Sequence, residues 1–222
     1  MAPKSIPSAA SAAFGRRLRA WYRRSHRDLP WRKTRDPYRV LVSELMLQQT
    51  QVSRVLEFYA RFIERFPTMQ HLADAKPRRV MESWEGLGYY ARARNLHKLA
   101  KHVTRDGGPG VLPAEPNELR KLPGIGAYTA GAVASFAYER RAPLVDTNVA
   151  RVLSRVFAPR LNPKRPRDLK KIWAIAEETL PRTGSAAWTH NQALMELGAL
   201  VCTARVKRCA ACPLRSLCRS KE

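Results

Sequence analysis

From Tyr38 to Gln48 the chain is a run of good helix formers, with Leu41 and Leu45 four apart on one face. Beyond Thr50, the positions Val52, Leu56, Tyr59 and Ile63 continue a single apolar face until Pro67 ends it. At that spacing Tyr59, Phe62 and Phe66 read as core rather than as a stacking platform. Shorter helices are predicted over 68–75 and 77–84. Gly86 and Gly88 break the chain, a helix over 90–105 follows, and Asp106-Gly107-Gly108-Pro109-Gly110 is a loop. A short helix over 116–121 leads through Leu122-Pro123-Gly124-Ile125-Gly126 into a helix over 127–138 rich in small residues (Ala130, Gly131, Ala134). Helices over 147–157, 167–180 and 186–201 complete the pattern. No strand alternation persists and no internal repeat is present, so the expected class is all-α with short connections.

Composition adds a partner class. The 222 residues are 45% hydrophobic, enough to bury a core in one large domain or in each of two lobes. Lys and Arg number 41 against 18 Asp and Glu, a net charge of +23, which points to a polyanion, and nucleic acid leads that class. The apolar content excludes a basic disordered tail, and no stretch approaches the apolar length of a membrane span. Residues 1–14 lack the apolar run of a secretory signal; they are Ala/Ser-rich and read as a frayed terminus, with a cytoplasmic setting by default. Residues 1–39 hold eleven Lys or Arg and two acids, Asp28 and Asp36. Arg16, Arg17, Arg19, Arg23, Arg24 and Arg27 would cover several sides of one helix, so they act as a collective field toward phosphates.

Candidate chemistry begins with Cys202, Cys209, Cys212 and Cys218, all within seventeen positions of a chain that has no other cysteine. Four thiolates in one short segment can wrap a cubane iron–sulfur cluster or a tetrahedral zinc ion. Zinc sites usually come as two close pairs, whereas one close pair flanked by single cysteines suits a cluster better. Arg205, Lys207, Arg208 and Arg215 lie in or beside the segment, where they can touch a nucleic-acid backbone. The second signal is Leu122 to Ala130. Gly124 and Gly126 permit a tight interhelical turn with positive φ, whose N–H groups can meet a phosphate oxygen. Twenty residues on, Asp146 stands at a helix start, where its plainest role is an N-cap.

Together these pieces resemble the helix-hairpin-helix superfamily of DNA glycosylases. The segments Val42 to Val52, Trp84 to Leu96 and Leu197 to Cys202 are similar to the adenine DNA glycosylase (MutY) family within it. The resemblance runs from about Leu29 to Cys218. It implies a two-lobed fold: a six-helix lobe over 35–146 carrying the hairpin, an iron–sulfur lobe from 15–34 plus 147–222, a disordered tail over 1–14, and an active site in the cleft. It also implies a [4Fe-4S] cluster on the four cysteines. The expected protein is a monomeric, nucleoid-associated enzyme acting on double-stranded DNA that contains a mismatch or an oxidised base.

Cleaving an N-glycosidic bond in duplex DNA requires the base to leave the stack. An acid must then protonate the leaving purine while a carboxylate meets the cationic sugar, so two carboxylates with divergent environments suit the task. Glu44 lies in an apolar helix stretch, where burial favours its neutral form, and the resemblance assigns it the acid role. The resemblance likewise makes Asp146 the ionised partner of the sugar cation, with Asn148 helping to hold the site. The resemblance further implies that Gln49 and Tyr89, at matching positions, enter the duplex beside the lesion, that Gln48 contacts the pair, and that Leu122, Gly124, Gly126 and Lys207 contact DNA. In the endonuclease III branch a Lys at the place of Tyr128 forms a Schiff base; a phenol makes no imine, so base removal here is monofunctional.

The chain stops at Glu222, four residues after Cys218, so no 8-oxoguanine-reading C-terminal domain is expected. That compact length matches the thymine·guanine mismatch glycosylases, while Gln48-Gln49 and the run from Gly86 to Arg92 favour adenine. Release of thymine or uracil opposite guanine is therefore the alternative, and a non-catalytic iron–sulfur DNA-binding module is the second.

Overall fold

The structure is a computed structural model that describes residues 6–105, 108 and 110–220. The loop expected over 106–110 falls in large part on residues 106, 107 and 109, which lie outside the described set. Helices follow one another as α1 (Ser8–Ser25), α2 (Pro37–Leu47), α3 (Val52–Arg65), α4 (Met69–Asp74), α5 (Pro77–Glu82) and α6 (Ala91–Thr104). They continue as α7 (Pro116–Leu119), α8 (Ala127–Tyr138), α9 (Thr147–Phe157), α10 (Pro166–Thr179) and α11 (Gly184–Leu200). Among the described residues the sole β-type pairing is an isolated bridge between Cys202 and Lys207, so the all-α expectation holds. None of these helices is long and apolar enough to cross a membrane.

The chain divides into two compact units, one of residues 28–138 and one of 1–27 plus 139–222. The divisions fall earlier than 34/35 and 146/147. Trp31, in a 3₁₀ turn over Pro30–Arg32, stacks edge-on against Tyr59 of α3 at 5.4 Å, which places the segment after Asp28 with α2–α8. At the second division, Ala142 accepts from Asn191 Nδ2 of α11 at 2.9 Å, which ties the connection from α8 to α9 to the other unit.

In the 28–138 unit, α2 is buried on nearly all sides and packs on α3, α6 and α8. Asp36 caps it by accepting from the N–H groups of Tyr38 (2.8 Å) and Arg39 (3.2 Å), and Pro37 opens the first turn. The small residues Ala130, Gly131 and Ala134 of α8 let α2 approach closely. Tyr59, Phe62 and Phe66 are buried, as their spacing predicts. The turn from α7 to α8 needs Gly124 twice over. Its φ is +77°, and a Cβ there would stand 2.7 Å from Asn95 Cβ. Gly126, the other hairpin glycine, does not have positive φ, and nothing lies within 4 Å of where its Cβ would be.

The other unit corrects the expected tail. Residues 1–5 are outside the described set, but the chain is helical from Ser8. Phe14, Leu18 and Tyr22, spaced four apart, form a stripe that packs α1 on α11 and α10. Ala/Ser composition reads as fraying, yet Ala is the strongest helix former and the Phe14 stripe supplies the burial that orders it. Arg27 locks the end of α1 to α11, donating through Nε (3.0 Å) and Nη2 (2.7 Å) to Glu196, which is fully buried.

Phe14 also packs on Phe157 (4.9 Å) and on His190 (5.6 Å). Both ring nitrogens of His190 are buried without a hydrogen-bond partner among the described residues. Burial first, and then the Arg19 cation, push its pKa down to about 3. The unfolded chain protonates this ring near pH 6.5 and the folded one does not, so stability is complete above that pH and falls as the medium acidifies. Urea unfolding is expected to lose about 1.4 kcal/mol per pH unit from this group between roughly pH 6 and pH 4. His190→Leu should remove that slope; equal slopes for both proteins would mean that the folded ring titrates normally.

Candidate functional site

Two groups of expected site residues lie in the 28–138 unit. Glu44, on the third turn of α2, is 3% exposed, and the Tyr128 hydroxyl donates to its Oε2 at 2.6 Å. The contact exists because α8 presents its first turn to α2, bringing together residues 84 positions apart. Next to it, α2 ends at Gln48, whose Nε2 reaches Thr129 Oγ1 of α8 at 3.5 Å. Gln49 follows with φ +56° and an exposed side chain. Tyr89 has φ +48° and is 59% exposed. Leu122 is half-buried, and Gly124 and Gly126 are exposed at the hairpin.

Asp146, Asn148 and the cysteines lie in the other unit. Asp146 caps α9, Oδ1 accepting from the Val149 N–H at 2.7 Å and Oδ2 from Asn148 Nδ2 at 3.1 Å. Burial raises its pKa above the usual carboxylate value. The Val149 and Asn148 hydrogen bonds and the Arg151 cation work in the opposite direction. Arg151 extends the arrangement: Nη2 donates to Asn148 Oδ1 (2.6 Å) and Gly198 O (2.8 Å), and Nε to Cys202 O (2.8 Å). The α9–α11 approach that allows this requires Gly198, where a Cβ would sit 2.6 Å from Asn148 Cβ.

Cys202, Cys209, Cys212 and Cys218 line one cavity, with Val152, Leu197 and Leu214 as its apolar wall. All four are free thiols and partly buried. Short 3₁₀ turns at Cys209–Ala211 and Arg215–Leu217 fold the segment back on itself, and Arg219 and Ser220 donate backbone N–H groups to Val156 and Arg155 of α9. Arg155 Nη1 stands 3.3 Å from Cys202 Sγ and donates to Thr203 O at 2.8 Å. Burial pushes the Cys212 thiol up, and the other three cysteines add to it. Four thiolates here repel one another unless a cationic core joins them, so the donor set fits a thiolate-ligated metal centre. Among the described residues no three His, Cys, Asp or Glu side chains converge to hold a metal ion by themselves. The fit therefore rests on the shared cavity and the donor chemistry. Lys207 is exposed, beside the bridge to Cys202.

Arg92, Arg151 and Arg155 escape sequence reasoning. Their partners are mostly backbone carbonyls, and every residue has one. The one local cue is the three-residue step from Asn148 to Arg151 on α9.

Residues 42–177 match the profile of the HhH-GPD superfamily of base excision DNA repair proteins. An adenine DNA glycosylase of Rattus norvegicus is 43% identical over 219 residues, 95% of this chain and 42% of that protein. The adenine DNA glycosylase of Mycobacterium tuberculosis is 47% identical over 203 residues, 89% of this chain and 64% of that protein. The chain thus spans about half the length of these curated relatives. Among solved structures, a thermostable thymine-DNA glycosylase superposes with a TM-score of 0.85 at 29% identity, covering 96% of each chain.

Proposed function

Because the chain belongs to the HhH-GPD superfamily of base excision DNA repair proteins, we propose that it is a monofunctional glycosylase releasing adenine mispaired with guanine or 8-oxoguanine in double-stranded DNA. The observation that carries this reading is the buried Glu44, hydrogen-bonded by the half-buried Tyr128 and set directly beside the turn of half-buried Gln48 and exposed Gln49. A buried carboxylic acid is the group that can protonate a purine ring nitrogen and make the base a competent leaving group. Tyr128 orients it through the 2.6 Å hydrogen bond. Having no amine, Tyr128 leads to no imine and no strand scission. Asp146, with its negative charge braced by Asn148 and Arg151, stabilises the sugar cation as the base departs. The open space over Gly126 suits close approach of a phosphate to the hairpin backbone. Lys207 and the arginines around the cysteine segment add to phosphate attraction.

Adenine is favoured over thymine by Gln48-Gln49 and the run from Gly86 to Arg92, in a chain whose relatives bear the name adenine DNA glycosylase. Thymine or uracil opposite guanine is the second reading, favoured by the full-length likeness to a thymine-DNA glycosylase. Cys202, Cys209, Cys212 and Cys218 would hold a [4Fe-4S] cluster, which when bound supplies a rigid core for the segment that carries Lys207. Protein purified without oxidation is expected to be yellow-brown and to contain iron and acid-labile sulfide; colourless protein with one zinc per chain would overturn this cofactor.

Single-turnover assays on duplexes carrying A opposite 8-oxoguanine, A opposite G, T opposite G and U opposite G test the reaction. Free adenine with an intact abasic strand is the expected product. Release of thymine or uracil alone would move the chain to the second reading, and DNA affinity without base release would make it a binding module.

A further inference from the structure

Arg92, in the first turn of α6, is 7% exposed, yet among the described residues its guanidinium bonds to no carboxylate. Nη1 donates to the carbonyls of Leu45 (2.7 Å), Met46 (2.8 Å) and Gln48 (2.5 Å), the C-terminal end of α2. Nη2 donates to Thr50 Oγ1 (3.2 Å) and to the carbonyls of Leu87 (3.3 Å) and Gly88 (3.0 Å). Nε reaches Tyr89 O at 3.4 Å, and the cation lies 5.6 Å from the Tyr89 ring centroid and 5.4 Å from that of Trp84. One planar group therefore joins the turn after α2 to the turn before α6.

Each of those turns holds a side-chain-bearing residue in the left-handed region, Gln49 at φ +56° and Tyr89 at φ +48°, immediately after a residue whose carbonyl Arg92 grips. Such backbone is unfavourable for these residues and persists only where the surroundings over-determine it. Gln48, Gln49, Tyr89, Tyr90 and Arg94 line one open concavity. We infer that Arg92 is a positioning residue that binds the two turns into one unit, so that Gln49 and Tyr89 meet DNA together and in fixed relation. The inference rests on the glycosylase reading, since a duplex is what these two side chains would enter. Charge alone does not suffice. The fork of five N–H donors spans both turns at once, whereas a lysine ammonium has three donors at a single point. The α2 carbonyl end supplies the negative potential that a buried cation without a counter-ion requires.

A purely structural arginine would lower stability and affect binding independently of Gln49 and Tyr89; a positioning arginine acts through them. The test is a double-mutant cycle read as affinity for a duplex containing a tetrahydrofuran abasic-site analogue, alongside an undamaged duplex and urea midpoints. Arg92→Lys is expected to weaken affinity for the abasic-site duplex about tenfold, with Tyr89→Ala and Gln49→Ala each weakening it in the native background but hardly at all in Arg92→Lys. Losses that add in full would overturn the inference. Thr50→Val, which deletes one guanidinium acceptor and leaves Arg92 in place, keeps the test open should Arg92→Lys not fold. It is expected to weaken affinity about threefold and to shrink the Tyr89→Ala effect; an undiminished Tyr89→Ala effect overturns the inference. Failure of the native protein to prefer the abasic-site duplex, together with no base release, would instead overturn the glycosylase reading on which the inference rests.

Discussion

Glu44→Gln is expected to lower the single-turnover rate of adenine release by about 10³-fold while affinity for the mismatched duplex changes by less than about threefold. Glutamine keeps the size of the side chain and a carbonyl oxygen for the Tyr128 hydroxyl, now 2.6 Å from Oε2. What it lacks is the acidic proton. Position 44 is 3% exposed, so water has little room to supply a proton in its place. Rapid-quench measurement of abasic product, with binding by fluorescence anisotropy, separates the two quantities. Undiminished turnover would take the acid role away from Glu44. Lost binding with a lowered unfolding midpoint would make it a structural residue.

The second large effect is at Asp146. Asp146→Asn is expected to reduce the rate by about 10²- to 10³-fold with little change in stability, because asparagine caps helices about as well as aspartate. The Val149 N–H bond that Oδ1 accepts at 2.7 Å can therefore be retained, and the loss reports the missing charge. Asp146 must be ionised to stabilise a sugar cation, and burial raises its pKa. The acid limb of the pH–rate profile should accordingly lie above about pH 4, the ordinary carboxylate range. Arg151 favours the ionised form, so Arg151→Gln should move that limb to still higher pH. A limb that stays put in Arg151→Gln would mean that a different group sets it. A near-normal rate for Asp146→Asn would mean that the hairpin resemblance misplaced the site.

Much of the architecture is legible in the chain because helices announce themselves locally. The span 127–138 and the span 147–157 coincide with α8 and α9 as predicted, and the other helix ends move by one or two residues in most cases. Apolar periodicity, Pro at first turns and Asp at caps act within a few positions of one another. Periodicity failed at the N-terminus. The Phe14–Leu18–Tyr22 stripe was present in the sequence, but its value depended on α10 and α11, more than 140 residues away. At the hairpin, residue type alone could not distinguish the glycine that needs positive φ, Gly124, from the one that does not, Gly126.

What the sequence determined by itself is the set of local spacings: the helices, the four cysteines of one segment, the GxG turn, and an acid in an apolar helix. Each is read within a stretch shorter than twenty residues, where backbone geometry converts spacing directly into a shared face or a shared loop. Only the tertiary structure decided which side chains serve those pieces. It set Tyr128 against Glu44, Arg151 between Asn148 and Cys202, Arg155 against Cys202 Sγ, and Arg92 across two strained turns. Most of these contacts join residues tens of positions apart, and for the three arginines they end mostly on carbonyl oxygens. A carbonyl is common to every residue and marks no position in a sequence, so only the packing of helices reveals which ones a guanidinium can reach.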